Sequence, residues 1–385
     1  MTVTTPQGFS AAGVACGLKK SGKQDFAVVV NNGPEFTAAA VTTSNRVYAA
    51  PVGWTRQAVA DGSLHAVVLN SGGANACTGD AGYQDTVTTA NLAAAKIGVA
   101  PEEVAVCSTG LIGELLNMDA IRAGIDAGFS ELSEEGGANA ALAIMTTDTK
   151  PKTAAVTGEY SIGGMAKGAG MLAPQLATML VVLTTDASLT TEQAKDALRQ
   201  AMDHSFDRID SDGCMSTNDT VILLASGASG ISPDLGEFTA SLTRVSQDLA
   251  EQLIGDAEGA SHDIAVEVSG ASSQEAGLAV ARSVARSNLL KCAVFGNDPN
   301  WGRVLSSLGT VPEEVAPFDA TAVDVAINGV TVCKNGGVGD ARELVDMTGR
   351  LVTISIDLKA GGEFVRLLTN DLTYAYVEEN SAYSS

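Results

Sequence analysis

The stretch MLAPQLATMLVVLTTD, residues 171–186, joins the turn-prone KGAGMLAP (167–174) to an apolar run, and one threonine, Thr178, stands at the join. On β-propensity alone Thr178 opens a buried strand through TMLVVLTT. Its hydroxyl also permits chemistry. A hydroxyl is a poor nucleophile until a base takes its proton, and scission of the Ala177–Thr178 bond would supply that base as the α-amine of the same residue. Such an amine, with an ordinary pKa of about 7.7 to 8.0, is partly neutral near pH 7. The β-branched side chain is stiff about χ1, which keeps the hydroxyl aimed.

Outward from this stretch, DFAVVV (25–30), FTAAAVTT (36–43), LHAVVLN (64–70) and EVAVCST (103–109) read as strands, and TVTTANLAAAKIG (86–98) and MDAIRAGIDAGF (118–129) as helices. In LTTEQAKDALRQAM (189–202), Thr190 and Gln193 form a capping box ahead of apolar residues at helical spacing. TVILLAS (220–226) predicts a buried strand, and Phe238, Leu242, Val245, Leu249 and Leu253 mark one face of a longer helix. Further on come a strand in HDIAVEVSG (262–270), a helix in SQEAGLAVARSVAR (273–286), and the hairpin VDVAINGVTVC (323–333) with Asn328-Gly329 at a type I′ turn. LVTISIDL and EFVRLLT read as another strand pair around Ala360-Gly361-Gly362. Helices and hairpins alternate without a regular βαβ rhythm, which predicts a layered α+β fold over a doubly wound sheet.

A chain of 385 residues, 45% hydrophobic, is long for one domain, and two are expected, at 1–240 and 241–385. The start, MTVTTPQGFS, is neither basic nor apolar, and no run of about 18 apolar residues occurs, so a cytoplasmic protein without a membrane span is expected. The six cysteines are scattered without a C-x-x-C pair and read as small buried hydrophobes in a reducing compartment. A net charge of −22 argues against nucleic acid and anionic membranes as partners and favours cationic small molecules. The three histidines, His65, His204 and His262, are too dispersed for a metal site or a histidine-centred triad.

TTDTKPK (146–152), GGMAKGAGM (163–171), LAPQLATML (172–180), STND (216–219), DPNWGR (298–303) and YVEENSAYSS (376–385) together resemble the signatures of the ornithine acetyltransferases, also called glutamate N-acetyltransferases, of arginine biosynthesis. The resemblance runs from near residue 7 to Ser385 with the motifs in family order. It implies an αββα sandwich of the self-processing N-terminal-nucleophile type, followed by a smaller C-terminal α/β domain whose tail returns to the active site. It also implies autoproteolysis between Ala177 and Thr178, and an assembly of two α and two β chains. Thr178 would accept acetyl from N-acetylornithine, release ornithine, and pass the acetyl to L-glutamate, giving N-acetylglutamate.

Within CSTGLIG (107–113), the resemblance makes the Thr109 hydroxyl and the Gly110 N–H the oxyanion donors; without it, these residues read as a strand-ending turn. Lys167, Glu258, Thr146, Asn380 and Ser385 match the family's substrate-binding positions, with Lys167 suited to a carboxylate and Glu258 to a cationic amine. The glycines around Lys167 do not form a Walker pattern. Two departures occur: Ser261-His262 stands where the family usually has Thr-Lys, and Ser385 where a threonine is common. NDPNWGR reads as a packing and turn motif. No cofactor or metal is expected, and acetyl-coenzyme A stays open as a second donor. The alternatives are a self-processing amidase or aminopeptidase of the same scaffold, in which water resolves the acyl-enzyme, and a non-enzymatic binding protein that stays uncut.

Overall fold

The structure is a computed structural model and describes residues 1–172 and 179–382. The described chain forms two compact units, one of Met1–Asp207 with Cys214–Asp256, the other of Arg208–Gly213 with residues 257–382.

The first unit carries β1 (Phe9–Val14), β2 (Phe26–Asn31), β3 (Thr37–Thr42), β4 (Ala66–Asn70), β5 (Val104–Ser108), β6 (Lys152–Thr157), β7 (Ser161–Lys167), β8 (Leu180–Thr185) and β9 (Thr220–Ala225). Its helices are α1 (Ala50–Ala58), α2 (Gly79–Ile97), α3 (Met118–Ser130), α4 (Gly137–Ala143), α5 (Thr191–Asp203) and α6 (Leu235–Ile254). One sheet has the order β1-β2-β4-β5 and the other β3-β9-β8-β7-β6. Both are antiparallel except at β4/β5 and β8/β9. A single core draws Phe26, Val28 and Val68 from the first sheet and Met165, Leu180, Val182, Ile222 and Leu224 from the second. Helices α1, α2 and α3 lie on the first sheet, and α5 and α6 on the second. This is the helix–sheet–sheet–helix layering of an αββα sandwich, an α+β fold.

Strand β8 is buried along its whole length, which is why its sequence is a continuous apolar run rather than an alternating one. Each fully buried Val or Leu there contributes roughly 1.5–3 kcal/mol. At α5 the capping box forms as read: Gln193 N–H donates to Thr190 Oγ1 at 3.2 Å, and Thr190 N–H to Gln193 Oε1 at 2.9 Å. The sequence boundary at 240/241 falls inside α6, whose Phe238, Leu242, Leu249 and Leu253 are buried against strands of the first unit. The chain leaves that unit only after Asp256.

The second unit contains β10 (Asp263–Ala271), α7 (Gln274–Ala285), α8 (Asn288–Phe295), α9 (Trp301–Leu308), β11 (Asp324–Ile327), β12 (Val330–Lys334), β13 (Gly337–Val338), β14 (Leu351–Asp357), β15 (Glu363–Asn370) and α10 (Tyr374–Ala382). Its sheet runs β13-β12-β11-β14-β10-β15. Residues 208–213 belong to it because Asp210 N–H donates to Leu368 O at 2.8 Å and the Asp210 carboxylate takes Arg286 Nε at 2.7 Å. The hairpin of β11 and β12 forms, with positive φ at Asn328 and Gly329. NDPNWGR is a turn and helix start, with Asn300 accepting from Arg303 N–H at the head of α9.

Two sequence expectations are corrected. The strands β14 and β15 do not pair with each other; β10 lies between them, parallel to β14 and antiparallel to β15. Alternation in LVTISIDL sets which face is buried, but it does not choose the neighbouring strand. The cysteines are not uniformly buried: Cys107 and Cys333 are, whereas Cys77, Cys214 and Cys292 are exposed, and none of the six is in a disulfide.

Candidate active site

The site residues read from sequence fall on both units. Ala177, Thr178 and Ser385 lie outside the described residues. In the first unit, Thr109 follows the end of β5 and Lys167 ends β7, and both are buried. Lys167 Nζ approaches Thr109 Oγ1 at 3.4 Å, so two residues far apart in sequence meet. Thr109 is held by its own backbone, its N–H donating to Asn70 O and its carbonyl accepting from Gly73 N–H. Gly110 has φ of 136°, and a Cβ there would stand 2.7 Å from Gly73 N. Only glycine fits that conformation without strain. The Gly110 N–H makes no hydrogen bond among the described residues.

Beside Lys167 lies an acidic residue that sequence reading passed over, Asp148. Asp148 Oδ1 accepts from Lys152 Nζ at 2.6 Å and from the Gly168 N–H at 2.7 Å, immediately after Lys167. Its other oxygen accepts the Thr146 N–H at 2.8 Å. Asp148 therefore holds the Thr146 backbone directly and the chain at Lys167 through the next amide, that of Gly168. Lys152 also meets Asp256 at 2.6 Å, and Asp256 accepts the Thr149 N–H at 3.0 Å. Asp148, Asp256, Lys152 and Lys167 are all buried, two of each sign, which is the condition under which buried charges are tolerated. Burial alone would push the Asp148 carboxyl up, but Lys167 and Lys152 outweigh it and bring it down to about 2. Nearby Lys19, whose Nζ donates to Met145 O at 2.7 Å, is pushed by burial down to about 8, with Lys167 adding to the shift. The signal for Asp148 was present in TTDTKPK, but a lone aspartate in a turn reads as a capping residue until its partners are seen.

In the second unit, Asn380 on α10 donates to Glu258 Oε2 at 3.0 Å. A cavity of about 350 Å³ opens beside Glu258, with Lys291, Asp371 and Tyr376 on its wall. The loop bearing Glu258 is tied down through the two departing residues. Asp371 Oδ1 accepts the backbone N–H of Ser261 at 2.9 Å and of His262 at 3.0 Å. Its Oδ2 faces His262 Nδ1 at 2.8 Å and the Ser261 hydroxyl, and His262 Nε2 faces Met347 O at 3.2 Å. Ser261-His262 is thus an anchor for the loop, and nothing in the geometry disturbs Glu258 itself.

The first unit therefore offers a hydroxyl and a glycine N–H set beside a buried ammonium, and the second a carboxylate beside a polar cavity. Among the described residues no helix is long and apolar enough to cross a membrane. The ArgJ family model matches residues 10–385. The arginine biosynthesis bifunctional protein ArgJ of Bifidobacterium longum is 59% identical over 391 residues, covering all of both chains. The protein of that name from Mycobacterium leprae is 51% identical over 393 residues, covering all of this chain and 96% of its own. A solved ornithine acetyltransferase from Mycobacterium tuberculosis, complexed with ornithine, is 52% identical, with a TM-score of 0.45, covering 46% of this chain and 96% of the solved one.

Proposed function

The chain belongs to the ArgJ family, and from that premise we propose that it is a glutamate N-acetyltransferase of arginine biosynthesis, moving acetyl from N-acetylornithine to L-glutamate. The observation that supports this reading most directly is the buried meeting of Thr109 and Lys167 beside Gly110, at the head of the sheet into which Thr178 leads: Lys167 pairs across β7 and β8 with Leu180, two residues beyond Thr178.

The chain first cuts itself. Thr178 Oγ attacks the Ala177 carbonyl carbon, the peptide C–N bond breaks, the freed amine takes the hydroxyl's proton, and water resolves the ester. In turnover that amine removes the Oγ proton and Oγ attacks the acetyl carbonyl. The Thr109 hydroxyl and Gly110 N–H receive the oxyanion, a contribution of roughly 10²–10³ in rate for one donor. Ornithine leaves as the protonated amine, and the glutamate amine then attacks the acetyl-threonine ester, so the mechanism is ping-pong. Thr146, Lys167, Glu258, Asn380 and Ser385 bind the amino acids: Lys167 pairs with a carboxylate and Glu258 with an amine. The working form is two α and two β chains in the cytoplasm, and acetyl-coenzyme A is a candidate second donor for the same nucleophile.

Denaturing mass spectrometry of the purified protein and of Thr178→Ala tests this. The native protein should appear as two fragments and carry acetyl on the peptide beginning at Thr178 when given N-acetylornithine alone; Thr178→Ala should stay intact and inactive. An uncut native chain with full activity overturns the reading. Ornithine release at the same rate with and without glutamate would instead favour the hydrolase.

A further inference from the structure

The STND motif, residues 216–219, has no role in the reading above, yet it touches both halves of the chemistry. Asn218 is buried and its Nδ2 donates to Ser108 O at 2.8 Å and to Ala74 O at 2.6 Å. Ser108 O belongs to the peptide that precedes Thr109. Asp219 is fully buried, and its Oδ1 accepts the Met179 N–H at 3.0 Å, the amide that joins residue 179 to Thr178. The next residue completes the grip, because Thr220 N–H donates to Met179 O at 3.2 Å. Both polar groups of the Met179 backbone are therefore bound by residues 219 and 220.

We propose that Asn218-Asp219 is a clamp that sets the register between the chain start at Thr178 and the oxyanion donors Thr109 and Gly110, with Asp219 as the positioning residue for the nucleophile. This rests on the reading of Thr178 as nucleophile. Scission at 177/178 removes the covalent tether on one side of Thr178, and a free chain start frays unless its backbone is held. Asp219 supplies the hold one peptide away. The two neighbouring side chains point to opposite partners, so a shift of either the oxyanion loop or the chain start has to displace the same dipeptide.

The role asks for a hydrogen-bond acceptor in a fixed place and not for a charge. Asp219 Oδ2 is buried without a hydrogen-bond partner among the described residues, a poor setting for a carboxylate. Burial also pushes this carboxyl well above the usual range, in spite of the Met179 amide, Lys167 and the Ser216 hydroxyl and amide. An asparagine amide at this position presents the same acceptor oxygen to the Met179 N–H.

The test compares Asp219→Asn, Asp219→Ala and Thr178→Ala in the full chain, with rates normalised to the cut fraction. Asp219→Asn should cut itself and keep kcat within about threefold of the native enzyme. Asp219→Ala should lose at least about tenfold in kcat, in line with the loss of one well-placed positioning contact, while KM for N-acetylornithine stays within about twofold. If Asp219→Ala is insoluble, Asp219→Ser, whose hydroxyl is too short to reach the Met179 amide, takes its place. Native kcat in the Ala or Ser variant overturns the clamp, as does an Asn variant as damaged as the Ala variant, since that would mean the carboxyl's charge or proton is needed. The Thr178→Ala control separates the two ideas: if it stays uncut and inactive while Asp219→Ala works normally, the nucleophile stands and the clamp falls.

Discussion

Replacing Asp148 by Asn takes one carboxylate out of a buried set that balances two ammonium groups. Asp148 Oδ1 serves Lys152 Nζ and the Gly168 N–H, and Oδ2 serves the Thr146 N–H. An asparagine keeps one acceptor oxygen, and its NH₂ then faces donors whichever way it turns. Removing one partner of a buried ion pair costs about 3–5 kcal/mol. At roughly 2–4 °C per kcal/mol for a unit of this size, the melting midpoint should fall by about 6–20 °C. Part of this depends on pH, with a definite sign. The carboxyl sits at about 2 against an ordinary 3.8, so its stabilisation is present above pH ~4 and is lost as pH falls toward ~2, an amount of about 2 kcal/mol. The assay is thermal unfolding of native and variant protein at one concentration, at about pH 6 and about pH 2.5. The gap between the two proteins should be wide at the higher pH and narrower at the lower. A midpoint within about 2 °C of native at pH 6, or a gap that does not narrow in acid, would refute the charge-balance argument.

Gly110→Ala should abolish turnover by at least about 10²-fold, because φ of 136° and the contact with Gly73 N force the oxyanion loop to move; steady-state kinetics with N-acetylornithine and glutamate checks it, and an active alanine variant would remove Gly110 from the oxyanion site. His262→Ala leaves Asp371 its two backbone donors but deletes the ring contacts to Asp371 and Met347, which should lower stability by about 2–3 kcal/mol. If the loop anchored there presents Glu258 to an amino acid, KM should rise several-fold with kcat little changed; an unaltered KM would show that the anchor serves folding alone.

Much of the fold was legible because burial imposes a period. The AVVLN run of β4, the Thr190–Gln193 box and the apolar face of α6 each declare a local structure that tertiary packing then accepted. The motif order likewise carried the family, and two residues it singled out, Thr109 and Lys167, meet in the fold. The pairing of β14 and β15 was not legible, since two adjacent alternating strands imply a hairpin unless a distant strand such as β10 competes better. Asp148 and Asp371 were missed for a related reason: an acidic residue in a loop looks solvated until the buried donors around it are known.

By itself, the amino-acid sequence determined which segments are strands and helices, that a threonine precedes an apolar strand in the chain, and which side chains are chemically able to attack, to bind a carboxylate or to bind an amine. Those are properties of short windows, set by side-chain chemistry and backbone period. Only the tertiary structure decided that Lys167 lies beside Thr109, that Asp148 holds the Gly168 amide next to Lys167, and that Asn218 reaches the end of β5 while Asp219 reaches the Met179 amide ahead of β8. These juxtapositions come from sheet register across long sequence separations, and they persist because each polar group taken out of water must find its partner there.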